Sequence, residues 1–150
     1  MSTATTVSTA VHLLTGAVWA GAIVFVVSAV LPAARAGEVD AAPLGSVAST
    51  LRNYSRAAAV LLLLTGGHLA WANYDLGSLT GSGRGHLVLT MVGLWFVATG
   101  LVEVGTGKLV DGTDRRKVRE PAREAERFLQ ATGLLAALVL VVSALLITDV

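Results

Sequence analysis

Three histidines, His12, His68 and His86, are the residues of this chain best suited to chemistry. Each stands at or near the edge of a long apolar run. A neutral imidazole there can hold a metal ion, or the iron of a haem, through either ring nitrogen. There is no cysteine, which removes thiolate ligands, thiol nucleophiles and disulfides. Thioether sulfur comes only from Met1 and Met91. His12, Gly16 and Trp19 are four and seven residues apart, so they share one face of a helix. In the second run Leu61, Leu64, Thr65, His68, Trp71 and Ala72 share a face in the same way.

One histidine from each of two facing helices is the geometry that holds a haem inside a bundle. The residues therefore predict haem b with His12 and His68 as axial metal ligands. Gly16, Gly66 and Gly67 would leave room for the macrocycle, Trp19 would stand beside it, and Thr65 is a candidate hydrogen-bond partner for an imidazole. His86, with Arg84 beside it, would meet a propionate near the surface. Copper on His12, His68 and His86 is the alternative, since imidazole also suits copper. A third reading is a structural subunit with no cofactor. No Ser-His-Asp set or carboxylate pair can be drawn near the histidines, and "TGSGRG" lacks the Lys-Ser/Thr ending and the preceding strand of a phosphate loop. An enzyme is not expected.

The elements that must position these residues are membrane helices. The chain is 54% hydrophobic and only 14% charged, against about 25% charged in soluble domains. Its net charge of +1 offers no basic field for nucleic acid. Four runs, at residues 7–31, 57–76, 86–107 and 128–147, approach or exceed the ~20 apolar residues that span a bilayer. Backbone in lipid must satisfy its own hydrogen bonds, so the expected fold is all-α, a single domain forming an up-and-down bundle of four transmembrane helices. "PAARA" after the first run resembles a signal cleavage site. No basic residue precedes the run, however, and it is longer than a signal core of ~7–15 residues, so it is read as a span.

Ten of the eleven basic residues fall in the first and third connections, which share a side in a four-span chain. The positive-inside rule then places both connections in the cytoplasm of a multi-pass cell-membrane protein and both termini outside. At ~1.5 Å per residue, His12 and His68 lie roughly 8–12 Å inside the outer boundary and His86 near it. Pro43 and Pro121 suit first turns of helices. Glu103, at the inner end of the third span, is expected to pair with Lys108 or Arg127. The lipid bilayer is the one partner implied; a membrane redox partner and a homo-oligomer remain open.

"HLLTGAVWAGAIVF" resembles the first helix of the copper-resistance D (CopD) domain, and "YSRAAAVLLLLTGGHLAW" resembles its second. The first helix also looks like that of HemJ, the membrane protoporphyrinogen oxidases, whose first-helix histidine corresponds to His12. Both families imply small histidine-bearing membrane bundles linked to copper or haem. HemJ proteins also use a third-helix lysine, and CopD relatives usually have one early in that helix. This chain has no lysine between Gly85 and Gly107, which argues against oxidase activity.

Overall fold

The computed structural model describes residues 2–148, and every regular element among them is helical. Helix α1 (Thr3–Phe25) passes through a π-helical turn (Val26–Val30) into α2 (Leu31–Ala36), making one continuous rod of 34 residues. The wide turn has a local cause. Pro32 would clash with a carbonyl of a regular helix, and a π turn opens the backbone just before it. The rod ends at Gly37, whose φ of 78° is left-handed; the amides of Gly37 and Glu38 bond back to Ala34 and Ala33.

Three further long helices follow: α3 (Ala41–Asn73), α5 (Gly83–Asp114) and α6 (Arg119–Ile147), with the short α4 (Leu76–Gly81) between the first two. Pro43 and Pro121 fall in first turns, as the sequence predicts. Asp75 caps α4: its carboxylate accepts from the Ser78 amide at 2.6 Å, while its own amide donates to the Ser78 hydroxyl at 3.0 Å. Ser82 caps α5 through the Gly85 amide.

The main contacts run round a ring, α1 to α3 to α5 to α6 and back to α1. Each helix turns inward a stripe spaced alternately three and four residues apart. On α3 it is Leu44, Ala48, Leu51, Ser55, Ala58 and Leu62; on α5 it includes Val88, Ala98, Val102, Gly105 and Leu109. Such a repeat suits near-parallel packing of neighbouring helices. The closest approach is between α5 and α6. A Cβ on Gly105 would sit 2.7 Å from Leu129, and Gly112 is packed as tightly on Pro121.

The core is lopsided. Trp19 to Ala34, Leu44 to Leu62, Ala98 to Thr113 and Pro121 to Ala136 supply nearly all of it, at the end of the bundle that carries the basic connections. At the other end, burial on the helix faces is sparse, with Thr5, Gly85 and Val88 the buried residues there.

The exterior is apolar: Leu14, Phe25, Leu64, Phe96 and Leu134 are all more than 60% exposed. Such a surface suits lipid and not water. The α1–α2 rod, α5 and α6 are long and apolar enough to cross a membrane. Helix α3 has the length, but Arg52, Arg56 and His68 dilute its apolar stretch. The protein is an all-α membrane protein.

Candidate functional site

Where the bundle loosens, two connected cavities open. The inner one, about 120 Å³, lies between the helices and is walled by Gly16 and Trp19 of α1, Leu62, Gly66 and Gly67 of α3, Met91 and Trp95 of α5, and Ala136 and Ser143 of α6. A wider vestibule of about 1130 Å³ adjoins it and adds Thr9, Asn73, Tyr74, Ser78, Ser82 and Arg84. His12, Met91 and Ser143 line both, so they stand where the two spaces meet.

His12 is held against α3 by Thr65. Its Nδ1 lies 2.8 Å from Thr65 Oγ1, and that hydroxyl lies 2.7 Å from the Leu61 carbonyl oxygen. With its proton on the Leu61 carbonyl, the hydroxyl accepts from His12 Nδ1–H, the tautomer that leaves Nε2 as a lone pair. The ring lies over Gly66, where an added Cβ would come within 3.0 Å of His12 Cε1. Glycine is needed there for close approach. Met91 brings the thioether; its sulfur accepts from the Ser143 hydroxyl at 3.3 Å, a hydroxyl that also reaches Val139 O at 2.8 Å.

The two tryptophans of the inner cavity differ. Trp19 Nε1–H donates to Ser55 Oγ at 3.0 Å. Trp95 Nε1 is buried and has no hydrogen-bond partner among the described residues. An unpaired buried donor of this kind costs about 1–3 kcal/mol.

His12, Gly16 and Trp19 line one cavity, as their spacing predicts; Thr65 joins them through its contact with His12, and Gly67 is in the wall. The other histidines do not. His68 is exposed and lines neither cavity. The buried stripe of α3 runs through Ser55, Ala58 and Leu62, which carries Gly66 and Ala70 inward and turns His68 outward with Leu64 and Trp71, 65% and 89% exposed. The expected pairing of His12 with His68 across a haem is therefore absent from this arrangement. His86 is exposed too; its Nε2–H donates to Thr80 O at 2.8 Å, a contact within the α4–α5 turn. Arg84 lines the vestibule and donates to the Leu146 carbonyl. Among the described residues, no three His, Cys, Asp or Glu side chains gather as a metal site. Met1 lies outside the described residues.

Glu103 also departs from expectation. It pairs with Arg52 and Arg56 of α3: Arg52 Nε donates to Oε1 at 2.7 Å and Arg56 Nε to Oε2 at 3.0 Å. Lys108 stands five residues on, about 140° round the helix, and reaches Glu124 at 3.5 Å instead. Arg127 stacks on Phe128, 5.0 Å from the ring centroid.

Met91 and Trp95 are the site residues that sequence reasoning left unplaced. The signal was available: Val88, Met91, Trp95, Ala98 and Val102 continue one three-and-four spacing along α5.

Neither the comparison with curated proteins nor that with solved structures gave a match. The family model for copper resistance protein D matches residues 45–146, from the first turns of α3 almost to the end of α6. That is more than half of the chain, and it leaves out α1 with His12. An all-α membrane protein matched over that length to one family has a plain assignment: the chain belongs to the copper resistance protein D (CopD) family.

Proposed function

We propose that this protein handles copper within the membrane, with His12 as the ligand that receives the ion and Met91 as the thioether beside it. All four long helices cross the bilayer as one domain over residues 1–150, α3 included. Both termini and the vestibule face outward, and the basic connections face the cytoplasm. Copper is cargo here: it enters through the vestibule and meets His12 where the vestibule narrows.

One observation carries this reading. Thr65 engages His12 Nδ1 at 2.8 Å, which leaves Nε2 as the ring nitrogen for a ligand in a cavity that Met91 shares. Metal-binding histidines characteristically donate their second ring nitrogen to a fixed partner, which sets the tautomer and the ring orientation. One imidazole and one thioether form a soft, sparse donor set, suited to Cu(I) and poor for zinc or magnesium. A neutral imidazole also avoids the cost of a charge inside the bilayer. The family membership supports copper as the ion.

Haem b is the weaker reading. The expected pair of axial imidazoles is not assembled, since of the three histidines only His12 lines these cavities. In the copper reading Gly16, Gly67 and Trp19 shape the wall, while His86 and Arg84 belong to the outer rim. Copper retained by the purified wild-type protein, compared with His12→Ala, tests the proposal.

A further inference from the structure

Glu103 stands at the depth of lipid headgroups. Along α5 it is about 28 Å from Arg84 by helical rise, and no Asp, Glu, Lys or Arg lies between them. That stretch nearly matches a hydrocarbon core of about 30 Å, so Glu103 marks one edge of it. Two arginines of α3 meet the carboxylate there, and one carboxylate leaves the cluster with a net positive charge. Glu103 takes Nε and Nη2 of both guanidiniums. The Nη1 of each keeps N–H donors that find no acceptor among the described residues. The Arg52 side chain is 30% exposed and that of Arg56 57%, so both can reach a ligand outside the bundle.

From this cluster an apolar seam runs between α3 and α5 toward the bilayer centre. Val60, Leu63 and Gly67 follow Arg56 on one face of α3; Gly100, Phe96 and Val92 precede Glu103 on the facing side of α5. All six are exposed. The seam is open where side chains are missing: a Cβ on Gly67 or Gly100 would meet nothing within 4 Å. From Arg56 to Gly67 is about 16 Å along α3, close to the hydrocarbon of one leaflet, which is half of about 30 Å. A positive fork at headgroup depth and a leaflet-long apolar seam below it match the two parts of a phospholipid. A free anion would leave the seam unused.

We propose that Arg52 and Arg56 bind the phosphate of an anionic phospholipid, one of whose acyl chains lies along the α3–α5 seam toward Gly67. Glu103 holds the two guanidiniums side by side, and their Nη1 groups donate to the phosphate oxygens. The net charge of the cluster favours a lipid with a net negative headgroup over a zwitterionic one. The site needs α3 to face lipid beside α5; it does not need the metal.

The test uses the metal-free, delipidated full-length protein in a neutral detergent, titrated with dioleoylphosphatidylglycerol and followed by native mass spectrometry. The copper reading can fail without affecting this result. Wild type should hold about one such lipid per chain, and dioleoylphosphatidylcholine far more weakly. Excess inorganic phosphate should not displace the lipid. Arg56→Gln should weaken binding by about fivefold, the effect of one cation near an anionic headgroup. Arg123→Gln, the same charge change at another exposed arginine, should bind like wild type. Gly100→Leu fills the seam without touching a charge and should weaken binding as well. It decides the matter if Arg56→Gln loses its helical spectrum. Equal binding of the two lipids, or displacement by inorganic phosphate, overturns the proposal. So does a folded Arg56→Gln that binds like wild type, or an equal loss in Arg123→Gln.

Discussion

Thr65 Oγ1 sits 2.8 Å from His12 Nδ1 on the neighbouring helix, and the same hydroxyl donates to the Leu61 carbonyl one turn back. A single threonine thus fixes which imidazole nitrogen is free to bind. Thr65→Val keeps the shape and removes the acceptor. Copper affinity, measured by competition with a chromogenic Cu(I) chelator, should fall by about 10–100-fold, the usual effect of losing a ligand's supporting hydrogen bond. Unchanged affinity would show that Thr65 does not orient the ring.

Two adjacent glycines should behave oppositely. A methyl on Gly66 would press on the His12 ring at 3.0 Å, whereas one on Gly67 meets nothing within 4 Å. Gly66→Ala should weaken copper binding several-fold while the protein stays folded. Gly67→Ala should bind like wild type and gain slightly in stability, since alanine favours a helix by about 1 kcal/mol over glycine. Equal copper affinities for the two variants would contradict the placement of His12.

The orientation can be read by labelling. Single cysteines at Ala4 and Arg115, both exposed in the structure, should differ towards an impermeant maleimide on intact cells. Ala4→Cys should label and Arg115→Cys should not. The reverse pattern would turn the vestibule toward the cytoplasm.

At the end that carries the basic connections, Glu103 joins α5 to two arginines of α3. Glu103→Gln should lower the melting temperature in detergent by roughly 2–4 °C. Lys108→Ala, which loses a 3.5 Å pair with Glu124 and a 5.8 Å approach to the Phe128 ring, should change it far less. Equal effects would put the helix contact elsewhere.

Much of this architecture is legible in the sequence. Apolar length finds the long helices, three of which are long and apolar enough to cross a membrane, and Pro43 and Pro121 mark two helix starts. His12, Gly16 and Trp19 lie on one face because four- and seven-residue spacings do so in any helix. The face of α3 was harder. His68 falls in phase with Leu61, Leu64 and Trp71, a plausible inward stripe in a chain where lipid-facing and core-facing residues are equally apolar. What separates the faces is size and hydroxyl content: the buried stripe is Ala48, Leu51, Ser55, Ala58 and Leu62. Closeness in sequence offers Lys108 to Glu103, and helix rotation carries it away. The place of Met91 and Trp95 at the site is not legible, because a core stripe and a cavity wall look alike until the bundle is seen to loosen at one end.

The most direct test is the copper content of four proteins loaded with Cu(I) and then washed free of loose metal: wild type, His12→Ala, Met91→Leu and His68→Ala. Wild type should retain about one copper per chain, His12→Ala almost none and Met91→Leu a reduced share. His68→Ala should match wild type, because His68 lines neither cavity. Full retention by His12→Ala, or loss of copper on removing His68, would contradict the account.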